Sequence, residues 1–554
     1  MNMQVSSLLS QAVQGLNTGD LNGAEALLNR ALLMAPGNLD VLNLLGVVLF
    51  QKGQLKESLQ FLQTVVHADP GNLMACYNMA NILMRHGDHV RALEFHERAM
   101  RLKPNDYWIL MNYGISLSRL RRFAQAMESF RKAIDLDPSQ ADGWQNLATC
   151  LKDRKDYAAA LQAYDQAIQR RPGYADAWSG KGSVLHSLSR YEEALAHFDK
   201  AIQCNPGFAE AWSNKGATLH DLMRYPEALD CFDRAIQVQP DYYESYWNKS
   251  LTQLLLGDFE HGWADYRYRW KIQNAAPYRH AELPRLETLE QARGKTILVW
   301  AEQGFGDSLH FARFLPQLAR HAARVVFEVQ AALCPLFEGR LDCEVLPQGQ
   351  PPGPVDCQVA LLDLPCVFQT RLETIPAASP YLRASPQSIA DWKDRLGLSK
   401  ARLNIGIACS GNAAQDNDHH RSMPLALFQP LLDAANCYLL QKDVRDADRA
   451  YLETHPEIRF LGDQLKSFED TAAIVCCLDL VVSVDTSLAH LTGALGQPLF
   501  VLVRWAPDWR YMLDRTDNPW YPSARVFRQA SLGDWTSAVE GAAAVINGLR
   551  RAPS

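Results

Sequence analysis

Residues 301–318, AEQGFGDSLHFARFLPQL, lead from an apolar strand through Gly304 and Gly306 into a helix starting near Asp307. Glycines let a ligand approach the backbone, and the free N–H groups of a helix start favour negative charge. The absent third glycine separates this loop from the dinucleotide fingerprint. An aspartate here also suits a helix N-cap. Residues 483–498, SVDTSLAHLTGALGQP, repeat the layout: a buried strand meets Asp485, Thr486 and Ser487, and His490 follows one turn into a helix. Such a start can hold a diphosphate with His490 as a further donor, or His490 can be a packed core group. Residues 408–425 offer Ser410, Gly411 and Asn412 after another strand, then a polar loop and Arg421. That loop can cradle phosphate, with Arg421 neutralising it or lying exposed on the surface. Residues 508–535 gather Trp509, Arg510, Trp520 and Tyr521, either to stack on a base or sugar or to cover the join between domains.

These loops need a sheet to hold them. TILVWA (296–301), RVVFEV (324–329) and VALLDL (359–364) read as buried strands. LNIGIA (403–408), CYLLQ (437–441), LDLVVSV (478–484) and LFVLV (499–503) form a second set beyond a polar helix around Trp392–Leu396. Strands alternating with helices predict parallel sheets, here two Rossmann-like domains with a ligand cleft between them. The expected bounds are 295–400 and 401–554, after a proline-bearing linker at 272–294.

Upstream, prolines recur every 34 residues at Pro36, Pro70, Pro104, Pro138, Pro172, Pro206 and Pro240. Ala99, Ala133, Ala167, Ala201 and Ala235 precede them by five, and Ala92, Ala126, Ala160, Ala194 and Ala228 by twelve. Small residues let paired helices approach, and each proline stops the second helix. A 34-residue helix-turn-helix period is the tetratricopeptide signature. It predicts an α-solenoid over residues 1–271, with seven full repeats and a partial eighth closing at GWADYRYRWK (262–271). Asn78, Asn112, Asn146, Asn214 and Asn248 share one column, which Gly180 interrupts. Side-chain amides there can bond an extended peptide or the neighbouring backbone.

The net charge of -7 argues against a general nucleic-acid binder. No apolar run is long enough to span a membrane, and the start carries no secretory pattern. Twelve cysteines without a CxxC pair read as reduced thiols in a cytoplasmic protein. Asp416-Asn417-Asp418 with His419 and His420 fits a DxD pattern, but so does Asp446-Ala447-Asp448, and no metal is expected.

GDSLHFARFLP is similar to the Gly-Asp-x-Leu-His segment of bacterial heptosyltransferases. The resemblance implies that Asp307 is the base that deprotonates the acceptor, with His310 on the acceptor side. Asp485, Thr486 and His490 resemble the Asp-Thr-x-x-x-His element that holds the nucleotide diphosphate in heptosyltransferases and O-GlcNAc-transferase-like enzymes. Arg421 sits where related transferases place a cation against the donor phosphates, and the asparagine column resembles the ladder of the O-GlcNAc transferases. FEDTAAIV (468–475) and 508–535 resemble the final portion of bacterial tetratricopeptide glycosyltransferases. The likeness implies a GT-B fold and inverting, metal-independent transfer from a nucleotide-sugar to a Ser/Thr hydroxyl of a protein, flagellin or another surface protein. Gly304, Gly306, Ser410, Gly411, Asn412, Arg421, Asp485, Thr486, Ser487, His490, Trp509 and Arg510 would then face the donor, and the asparagine column would face the protein acceptor. Two rival readings are a non-catalytic scaffold and a transferase acting on saccharide or lipopolysaccharide.

Overall fold

The computed structural model describes residues 2–272, 275–399, 401–412 and 418–549. The chain divides into two compact units, Met1–Lys215 and Gly216–Ser554. Sixteen α-helices, from Asn2–Thr18 to Phe259–Tyr266, form the α-solenoid, and parallel sheets follow.

In the first unit the recurring alanines explain the pairing. Ala92, Ala99, Ala126, Ala133, Ala160, Ala167, Ala194 and Ala201 are all fully buried. A Cβ on Gly114 would lie 2.5 Å from the Phe130 ring, so the glycine is what lets those two helices touch. Each periodic proline falls two residues beyond a helix end, as after Leu102 and Leu136.

A further column escaped the sequence reading. Between the two helices of each repeat one residue adopts positive φ: Gly19, Gly53 and Gly87 at 81–88°, then Arg121, Lys155 and Ser189 at 58°, 63° and 58°. A left-handed non-glycine residue costs about 1–2 kcal/mol, and glycine's greater freedom in the unfolded chain costs about 0.5–1 kcal/mol. The first effect wins, so Ser189→Gly should stabilise the array by about 0.5–1 kcal/mol. Chemical denaturation checks this, and a midpoint at or below that of the natural chain would refute it.

The second unit begins within the repeats. Leu254, Leu255, Phe259, Trp263 and Tyr266 belong to one hydrophobic core with Phe311, Phe314, Trp509 and Trp520. The compact division thus falls earlier than the expected end of the repeats at 271. The last helices bury their apolar faces on the α/β part.

The first sheet has strands β1 (Thr296–Trp300), β2 (Arg324–Val329), β3 (Glu344–Pro347) and β4 (Cys357–Ala360), in the order β3-β2-β1-β4. The second has β5 (Asn404–Ala408), β6 (Asn436–Leu439), β7 (Ile458–Phe460), β8 (Leu480–Val484), β9 (Leu499–Val503) and β10 (Ala524–Arg528), in the order β10-β9-β8-β5-β6-β7. Every pairing is parallel. The strand expected at 359–364 ends at Ala360, and Leu361–Asp363 form a 3-10 turn. Asp363 is drawn there by Arg269 and Arg285, whose guanidinium groups donate to it at 2.8 and 2.6 Å. Strand order reverses between β1 and β4 in one sheet and between β5 and β8 in the other. Ligand crevices open at such switch points, beyond the carboxyl ends of the strands.

Candidate functional site

Three of the four loops picked out from the sequence leave strands that flank a switch point. β1 runs into 301–307, β5 into 409–421, and β8 into 485–487. Register sets their mouths: Trp300 pairs with Ala360, and Ala408 with Ser483.

The first loop opens the helix Phe305–Phe311, with Gly304 as its N-cap. Asp307 is therefore in the first turn and is not the cap. Its Oδ1 accepts from Arg510 at 2.7 Å, while Oδ2 faces the Gly304 side, 3.7 Å from where a Cβ on that glycine would stand. Burial raises the Asp307 carboxyl above its ordinary value of 3.8. Arg510 opposes that shift, whereas Asp508 and Asp485 reinforce it. Gly306 serves a close approach between helices: a Cβ there would lie 2.9 Å from His490.

The second loop opens the helix Ser487–Ala494, with Thr486 at its N-cap. The Thr486 side chain makes no capping bond; its hydroxyl lies 3.0 Å from Ser483 Oγ, so the first N–H groups of the helix keep no side-chain cap. Asp485 accepts from the Tyr511 hydroxyl at 2.6 Å. His490 is buried, and its Nδ1 meets the Tyr521 hydroxyl at 3.0 Å. His310, also buried, places its own Nδ1 3.0 Å from the same oxygen. Burial, reinforced by Arg510, depresses the His490 pKa to about 3, and burial lowers His310 well below its ordinary value. Both rings are neutral near pH 7. One hydroxyl proton cannot serve two acceptors, so at least one imidazole donates Nδ1–H to Tyr521.

Several expectations change here. His310 is fully buried and cannot face an acceptor, because the Trp520 ring packs 4.7 Å away. Trp509 is only 3% exposed, edge-on to Trp263 at 5.2 Å, so it covers core and does not stack on a donor base. Trp520 and Tyr521 are likewise interior. Arg510 is committed to Asp307 and Asp508 rather than to a phosphate. His490 has the packed-core role.

In the third loop Ser410 is buried, its hydroxyl accepting from Gln441 at 3.0 Å. It supports the loop and does not line it. Gly411 donates its N–H to Ser422 at 3.0 Å, and Asn412 is exposed. Arg421 donates through Nε to Asp418 at 3.1 Å, and Arg445 bonds the other oxygen of the same carboxylate. Two guanidinium groups thus converge on the Asp418 carboxylate, with Arg421 beside Gly411. Asp416 and Asn417 of the DxD run lie outside the described residues, as does the side chain of His419. Asp418, its third member, is held by Arg421, Arg445 and Ser422. Among the described residues no group of three His, Cys, Asp or Glu side chains gathers as a metal site. No described helix is long and apolar enough to cross a membrane.

The asparagine column bonds largely from repeat to repeat. Asn78 donates to Asn43 at 3.1 Å, Asn112 to Tyr77 at 2.6 Å and to Asn81 at 3.2 Å, and Asn214 to Ser183 at 3.4 Å. Asn146 donates to the Asp142 carbonyl within its own helix at 2.9 Å. Asn248 is half-buried.

Tetratricopeptide repeat family models match residues 16–75, 75–106, 109–140, 129–162, 146–207 and 209–242, so the N-terminal region is a tetratricopeptide-repeat array. The chain is similar to protein FlbA of Caulobacter vibrioides, at 25% identity over 309 residues. That match spans 51% of each protein, so the chain covers about half the length of this relative. A tetratricopeptide repeat protein from Parabacteroides merdae is 18% identical over 45% of this chain and 99% of its own, with a TM-score of 0.41. PilF of Pseudomonas aeruginosa is 20% identical over 38% of this chain and 96% of its own, with a TM-score of 0.34.

Proposed function

We propose that the α/β part is an inverting, metal-independent glycosyltransferase of GT-B type and that the repeats recruit its protein acceptor. The observation that carries this reading is that the loops of Asp307, Arg421 and Thr486 all leave switch-point strands. In this mechanism Asp307 takes the acceptor hydroxyl proton, and the oxygen attacks the anomeric carbon of the sugar. The nucleotide phosphate leaves from the opposite face with the bonding electrons. The helix start at Thr486–Ser487 and the Arg421–Arg445 pair meet its growing negative charge.

Calorimetric titration with UDP, GDP, ADP and CMP tests the donor half of the reading. One nucleotide should bind, and Arg421→Ala with Thr486→Ala should weaken it by about 1–3 kcal/mol, the scale of lost charge-assisted hydrogen bonds. The second reading is a non-catalytic interaction scaffold. The engagement of Asp307 by Arg510 favours it, since a paired carboxylate is a weaker base. Failure of every nucleotide to bind would decide for the scaffold.

A further inference from the structure

The Asp307 carboxylate does not stand alone. Arg510 binds it through one oxygen only, at 2.7 Å, and binds Asp508 at 3.0 Å. The guanidinium lies 4.4 Å from the centre of the Trp509 ring and 5.6 Å from that of Phe311. Trp509 in turn meets Trp263, from the last helix of the repeats, at 5.2 Å and 89°. An arginine held by two carboxylates and two aromatic faces has little freedom. Its Nε is also buried without a partner, so the pairing with the two aspartates is what compensates for its burial.

We infer that Arg510 is a positioning residue for Asp307, steadying Oδ1 so that Oδ2 is left to take the acceptor proton, and that Trp263 of the final repeat holds Arg510 in place through Trp509. This rests on the transferase reading above. The terminal repeat would then be part of the transfer site as well as of the acceptor-recruiting array.

The groups facing Asp307 set the pH consequence. Arg510 and Asp508 come from the 508–511 turn, Asp485 from the end of β8, and Tyr266 from the last repeat helix. Arg510 favours the ionised carboxylate most, with the Gly304 backbone N–H as a smaller contribution in the same direction. Removing Arg510 raises the Asp307 pKa further, so the acid limb of the rate profile moves to higher pH.

The test is sugar transfer by the full chain, with the nucleotide-sugar selected by the titration, in Arg510→Gln, Arg510→Lys, Trp263→Ala and Asp307→Asn. Arg510→Gln should lower kcat by about 10–100-fold with the donor KM within about twofold, and its acid limb should move up. Arg510→Lys should recover most of the rate and the limb. Trp263→Ala should move kcat in the same direction as Arg510→Gln, with a smaller effect. An unmoved acid limb, or no rescue by lysine, would make Arg510 merely structural and overturn the inference while leaving the transferase reading intact. Full transfer by Asp307→Asn would overturn the base assignment and this inference with it. No transfer by the natural chain from any donor would remove both.

Discussion

Asp307→Asn should reduce sugar transfer by about 10²–10⁴-fold while nucleotide affinity and protein capture persist. The magnitude is that of a lost general base. The asparagine keeps the shape of the first helical turn and an oxygen for Arg510 but cannot accept the proton. Burial and the nearby Asp508 and Asp485 hold the carboxyl above 3.8 despite Arg510. The base is lost as pH falls through that raised value, so transfer should fail at a higher pH than an ordinary exposed aspartate would allow. Single-turnover transfer across pH, beside acceptor pull-down and nucleotide titration, separates chemistry from binding. Undiminished transfer would refute the base role, and loss of capture as well would point to damaged structure.

What the sequence made legible follows how far each interaction reaches along the chain. The proline and alanine columns report contacts within a repeat, so their 34-residue beat was open to direct reading. The positive-φ column was half hidden, because Arg121, Lys155 and Ser189 occupy a position where glycine would have announced it. Strands of the doubly covered sheets showed as apolar runs. The missed ones were β3, four residues ending in proline, β7, only three residues, and β10, whose two arginines break the apolar run.

At the candidate site, residue types and loop positions were readable, but partners were not. Arg510 reaches Asp307 across 203 residues, and nothing local distinguishes a phosphate-binding arginine from one already held by carboxylates. Trp509 presents the same problem. An aromatic residue beside an arginine looks like a stacking platform until Trp263 is found against it. The asparagine column had two readings because an amide bonds a neighbouring repeat as readily as a bound peptide. Asn78, Asn112 and Asn214 all donate across repeats, Asn112 with both of its N–H groups, so at Asn112 a peptide would have to compete for them or use the oxygen.

Arg269→Ala should destabilise the Gly216–Ser554 unit by about 3–5 kcal/mol, the usual cost of stranding a buried charge partner. Arg269 belongs to the final repeat motif, yet its guanidinium is bidentate to Glu302, at 2.7 and 3.0 Å, and reaches Asp363 at 2.8 Å. All three side chains are at most 4% exposed. Burial raises the Glu302 pKa even with Arg269 present, whereas Arg269 and Arg285 overcome burial to hold Asp363 below its ordinary value. Without Arg269, Glu302 is expected to keep its proton to still higher pH. A group whose folded pKa is raised contributes stability below its unfolded pKa and loses it as pH climbs through the folded one. The deficit of Arg269→Ala should therefore be larger at pH 8 than at pH 5, as urea denaturation of the two chains would read. Asp363 acts in the same direction, because losing Arg269 removes the strongest of the groups that hold its buried carboxyl below its ordinary value. Equal deficits at the two pH values would mean that Arg269 matters through its packing against Tyr266 and Trp270, at 4.9 and 4.6 Å, rather than through its charge. Because Glu302 lies on the loop that carries Asp307, the same substitution should loosen the candidate base even at temperatures where the unit stays folded.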